Sequence, residues 1–162
     1  MQQETRRPQM QADSAEVDRL VRAALVYLQQ REPNMAAHVL RRALEVQPRE
    51  PRCLSYLGVC MAMVNRHSGT ALALCEEALV AGCFDVLFYR NLGKVHLLRG
   101  SRHKAYAAFK NGLKADPGNR GILEELSSLG IRQTPFCSIL PRGHVVNRFA
   151  GRMRHLLGRP VI

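Results

Sequence analysis

From Val17 onward, apolar residues return every three or four positions. Val17, Leu20, Val21, Ala24, Leu25, Tyr27 and Leu28 make a first stripe; Ala36, Ala37, Leu40, Ala43, Leu44 and Val46 make a second. That spacing follows the 3.6-residue turn of an α-helix and not the alternation of a strand. Pro33-Asn34 separates the stripes and Pro48 closes the second, so the pattern predicts a helical hairpin. Asp13, with Glu16 three places on, has the form of a capping box and sets the predicted start of the first helix. Ahead of it, residues 1–12 carry Gln2, Gln3, Gln9 and Gln11 without periodicity and read as a flexible polar arm.

Two more hairpins follow in register with the first. Leu54, Leu57, Val59, Cys60, Met61 and Met63 predict one helix, Asn65 to Gly69 a turn, and Ala71 to Leu79 its partner; the third hairpin spans Asp85 to Asn119. Leu57-Gly58 recurs as Leu92-Gly93, 35 residues on, and Ala24 lies 34 residues before Gly58. Ala36, Ala71 and Ala105 repeat at 35 and 34, as do Ala43-Leu44, Ala78-Leu79 and Gly112-Leu113. First helices are thus 34 then 35 apart, and second helices 35 then 34. The extra residue falls between Gly58 and Ala71, in the Asn65–Gly69 turn, where insertions are tolerated. A period of this length marks stacked units that bury their apolar faces only against one another. Ala24, Gly58, Gly93, Ala36, Ala71 and Ala105 let backbones approach, while Leu40, Leu57, Leu92 and Phe109 fill the space between. Arg120 to Leu129 predicts a capping helix that Gly130 ends. Ile122, Leu123, Leu126 and Leu129 would face inward, and Glu124, Glu125, Ser127 and Ser128 outward.

The third unit reads Tyr89-x2-Leu92-Gly93-x2-His96, then Ala105-x3-Phe109, then Pro117. It resembles the tetratricopeptide repeat (TPR) family, whose signature is W-x2-L-G-x2-Y…A-x3-F…P. Tyr89 stands in place of Trp and His96 in place of Tyr. The second unit lacks the closing proline; the first has Ala23-Ala24 for Leu-Gly and Leu40 for Phe. The resemblance implies an all-α helical-hairpin solenoid winding into a right-handed superhelix. Its domain would be 13–130, with repeats 17–50, 51–85 and 86–119 and a cap at 120–130. It also implies a groove lined by the first helix of each pair. Carried over residue by residue, that lining is Val21, Leu25 and Leu28, then Ser55, Val59, Ala62 and Met63, then Arg90, Asn91, Lys94 and Leu97. An extended or helical peptide with apolar anchors and one acidic group fits this lining. The family variant that clamps a C-terminal carboxylate uses Lys and Asn where this chain has Val21 and Leu25, and is disfavoured.

Charge adds a second theme. The chain carries a net +11 and has a pI near 10.2, which favours acidic partners. From Ser127 onward there is no Asp or Glu, yet Arg142, Arg148, Arg152, Arg154 and Arg159 lie there. Pro135 and Pro141 predict an extended start to this 131–162 tail, before an amphipathic helix at 145–158. Val146, Phe149, Ala150, Met153, Leu156 and Leu157 share one arc of that helix, with arginines opposite. Such a helix packs on the repeats, docks a partner protein or rests weakly on an anionic membrane. Nucleic acid is disfavoured, since no aromatic interleaving or known nucleic-acid motif accompanies the arginines. The tail also resembles an extension on some bacterial TPR proteins of unassigned function, which implies no activity.

An apolar fraction of 46% excludes wholesale disorder, and 6% aromatics with no Trp suits helices better than a sandwich or barrel. Five scattered cysteines without a C-x-x-C pair suggest free thiols in a reducing cytoplasm. The first residues lack the apolar core of a secretory signal, and no apolar run is long enough to span a membrane. The six histidines are dispersed without zinc spacing, and no H-E-x-x-H, G-x-S-x-G or phosphate-cradling loop occurs. Neither a catalytic site, a metal nor a cofactor is expected. The expected function is a non-catalytic adaptor or scaffold holding a peptide or partner subunit and aiding complex assembly. One alternative is a small secretion chaperone: class II chaperones of type III secretion resemble this chain in length and repeat number, though they are acidic. The other is a peripheral membrane or nucleic-acid factor acting through the arginine tail.

Overall fold

The computed structural model describes residues 6–83 and 85–129, with side chains from 11 onward. The expectations for Gly130, the 131–162 tail and Arg142, Arg148, Arg152, Arg154 and Arg159 lie outside the described residues. Among the described residues there are seven helices and no strand: α1 Arg6–Gln29, α2 Pro33–Val46, α3 Pro51–Val64, α4 Gly69–Ala81, α5 Val86–Leu98, α6 Arg102–Ala115 and α7 Arg120–Ser128. Helices pair as α1/α2, α3/α4 and α5/α6, and α7 rests on α6. α3 packs against α1, α2, α4 and α5, which makes it the centre of the stack.

The first helix begins earlier than the capping box predicts. α1 starts at Arg6, and residues 6–12 are helix, not arm. Asp13 is exposed within it, and Glu16 pairs with Arg19 one turn on instead of reaching back to a cap. The sequence permits this. Pro8 sits in the first turn, where its missing N–H is not needed. Gln9 to Ala12 then supply good helix formers with no breaker.

Local chemistry explains the remaining boundaries. Pro33 and Pro51 each stand at the first turn of a helix, and Glu50 caps α3 by accepting from Cys53 N at 2.8 Å. Asp85 accepts from Leu87 N at 2.8 Å and Asn119 from Ile122 N at 3.1 Å, opening α5 and α7. α1 and α5 end alike. Glu32 N bonds Tyr27 O while Arg31 N bonds Leu28 O; likewise Ser101 N bonds His96 O while Gly100 N bonds Leu97 O. Both are Schellman turns, with Arg31 (φ 61°) and Gly100 (φ 77°) in the left-handed position.

The small-against-large packing is present. A Cβ on Gly58 would lie 2.7 Å from Ala71 O and 2.6 Å from Cys75 Sγ, so α3 and α4 touch backbone to backbone. Gly93 faces the Phe109 ring in the same way across α5 and α6. Ala24, Ala36, Ala71 and Ala105 are fully buried, as are Leu40 and Phe109. Core groups run along the stack: Val17 to Cys60 joins α1, α2 and α3; Val59, Ala62, Ala71, Cys75 and Val95 join α3, α4 and α5; Ala105, Phe109, Ile122 and Leu129 join α6 to the cap. Each unit is closed by its neighbours.

Candidate functional site

A cavity of about 700 Å³ opens along the first helices. Leu25 and Leu28 of α1, Val59 and Met63 of α3, and Arg90, Asn91, Lys94 and Leu97 of α5 line it, so eight of the residues carried over from the family meet at one surface. Three do not. Val21 lies on the α1 face turned into the first core, beside Val17 and Ala24. Ala62 is fully buried among Ala71, Cys75 and Val95. Ser55 is fully buried at the α3–α4–α5 junction, where its carbonyl accepts from Cys75 Sγ at 3.6 Å. In each case a rotation of about 100° per residue carries the side chain past the rim into the stack.

Asn91 forms the floor and not an open wall. It is 3% exposed, and its Nδ2 donates to Ser55 Oγ at 2.9 Å. That buried bond ties α5 to α3 and fixes the separation of two lining helices. A buried amide so paired stabilises the stack, while the same amide orphaned would cost about 1–3 kcal/mol.

The polar end is built around one carboxylate, carried by the helix that follows the third hairpin. Glu125 of α7 lines the cavity, 3.3 Å from Lys94 Nζ and 3.8 Å from Arg90 Nη2 through its Oε1. The sequence reading set Glu125 on an outer face with Glu124. Glu124 is exposed as expected, but Glu125 turns toward α5, while Leu123, expected inside, is 45% exposed. Arg90 explains the rotation: its guanidinium lies against the α7 backbone at Gly121, where a Cβ would come within 2.7 Å of Arg90 Cζ. Gly121 and Glu125, four apart on one helix face, are the sequence signal for this contact.

Gln29, Arg31, Tyr56, Leu87 and Leu98 complete the lining. Burial pushes the Tyr56 hydroxyl up, against the opposing pull of Arg90 and Arg52, so it stays protonated and available to donate. Three thiols are inert by position. Burial pushes Cys53, Cys60 and Cys75 up to about 12, leaving no thiolate at neutral pH. Among the described residues, no three His, Cys, Asp or Glu side chains gather as a metal site, and no helix is long and apolar enough to cross a membrane.

No family model matches the chain, and neither does any curated protein. Solved structures do. The first TPR domain of the human RPAP3 protein is 15% identical at a TM-score of 0.60, over 70% of this chain and 89% of that one. The first TPR of Spaghetti (RPAP3), solved with the HSP90 peptide SRMEEVD, is 16% identical at 0.60, over 72% and 94%. An O-GlcNAc transferase of Thermobaculum terrenum is 19% identical at 0.63 over 72% of this chain, but only 22% of that chain is matched. The three helical hairpins of this chain, with their closing helix, have the tetratricopeptide-repeat fold.

Proposed function

We propose that the chain is a non-catalytic interaction module that holds a segment of a partner protein in this groove and so aids assembly of a complex. The preferred segment carries apolar side chains followed by one acidic group. One observation carries the reading: Leu25, Leu28, Val59 and Met63 form an apolar stretch that runs into the cations Arg90 and Lys94 across a single cavity. Apolar anchors supply area, and the cations fix the register of a carboxylate. The first TPR of Spaghetti (RPAP3) is bound to the HSP90 peptide SRMEEVD, a likeness that supports a peptide as the ligand here.

Selection from a displayed library of random peptides tests the reading. Wild-type protein should enrich sequences that combine leucine-like residues with one Asp or Glu. Met63→Asp should abolish the enrichment, and Lys94→Gln should weaken binding of the selected peptides by about tenfold, as loss of a charge-assisted hydrogen bond requires. Undiminished binding by Met63→Asp contradicts the proposal.

A further inference from the structure

We infer that Glu125 is a resident carboxylate occupying the groove's acid subsite, so that α7 sets which acidic segments enter. The inference rests on the groove reading for its ligand, but the contact itself is intramolecular.

Three observations converge on it. First, one oxygen of Glu125 faces both groove cations, Lys94 and Arg90, from the C-terminal end of the cavity. An incoming carboxylate competes with Glu125 for those cations. Second, the resident contact is loose. Its separations of 3.3 and 3.8 Å exceed the roughly 2.7–2.9 Å of a good charge-assisted bond. A ligand with better geometry gains more than it displaces. Third, Arg90 Nε is buried and has no hydrogen-bond partner. It is shut in against the α7 backbone at Gly121, and Glu125 reaches Arg90 only through Nη2, so the resident carboxylate holds the guanidinium by one edge alone.

The cap is placed to yield. Ile122 and Leu129 hold α7 in the core shared with α6, while Gly121 gives Arg90 a bare backbone to lie on. Swinging the Glu125 side chain away leaves those apolar contacts intact. Selectivity follows from the exchange. A neutral segment leaves Glu125 in place and gains nothing from the cations. An acidic one replaces it at both cations.

Titrations of full-length protein with acetyl-Leu-Leu-Glu-Leu-amide and its Gln twin, followed by backbone NMR shifts, test this. Because the Lys94–Glu125 pair is partly solvated, Glu125→Gln should bind the Glu probe about fivefold more tightly than wild type. It should bind the Gln twin unchanged, and adding Lys94→Gln should erase the gain. Equal tightening of both probes, or no tightening of the Glu probe, overturns the inference. Amide exchange of residues 120–129 reads the contact without any probe: Glu125→Gln should quicken it more in a Lys94 background than in a Lys94→Gln background, where only the Arg90 contact is left to lose. Identical effects in both backgrounds again overturn the inference. Loss of peptide selection in the library experiment, with this exchange pattern intact, would sink the groove reading alone.

Discussion

Among the described glycines, Gly58 is the one whose crowding neighbours include backbone. Because Ala71 O cannot rotate away, Gly58→Ala should destabilise the fold by about 1–3 kcal/mol in a denaturant melt. An unchanged midpoint would mean that α3 and α4 stand further apart than described. The thiols offer a second residue-level check. Native-state alkylation followed by peptide mapping should modify exposed Cys83 while Cys53, Cys60 and Cys75 stay protected. His96 gives a pH signature. Burial, helped by Lys104, lowers its pKa below the usual imidazole value, so the folded state binds fewer protons than the unfolded chain. Stability is therefore fully present above the unfolded value near 6.5 and is lost as pH falls from there through the lowered folded value. The melting temperature should drop from pH 7 to pH 5, and His96→Gln should flatten that slope.

At the scale of elements, the hairpins were legible because apolar spacing and prolines agree with each other. Pro33, Pro48 and Pro51 bracket α2 and open α3 where the stripes suggest. The start of α1 was less legible. Asp13-x2-Glu16 satisfies a capping pattern, but a pattern of polar residues inside a longer helix looks the same. Asp13→Ala should therefore shift stability by less than about 0.5 kcal/mol, whereas Asn119→Ala, removing a true cap, should cost about 1 kcal/mol. Chemical denaturation of the two variants separates these outcomes. The lining of the groove was half legible for a related reason. Repeat phase identifies which helix faces inward, and Leu28, Val59, Met63 and Lys94 follow from it. It does not resolve rim from core, so Val21, Ser55 and Ala62 were carried over although a small rotation buries them. Glu125 was legible in the same phase: α3, α5 and α7 begin at 51, 86 and 120, and Tyr56, Asn91 and Glu125 stand at matching positions that all line the cavity.

For the whole molecule, stacking creates a cavity as a by-product of burial. Each hairpin closes its apolar face on the next, and the first helices α1, α3 and α5 are left side by side along one cavity. Second helices α2, α4 and α6 show other surfaces, on which Val46, Val80 and Tyr106 are exposed. The most direct measurement is backbone NMR of the full chain with a library-selected peptide. The largest shifts should fall on Leu28, Met63, Lys94 and Leu97, with Val46, Val80 and Tyr106 unmoved. Shifts centred on those second-helix residues, with the cavity silent, would contradict the account.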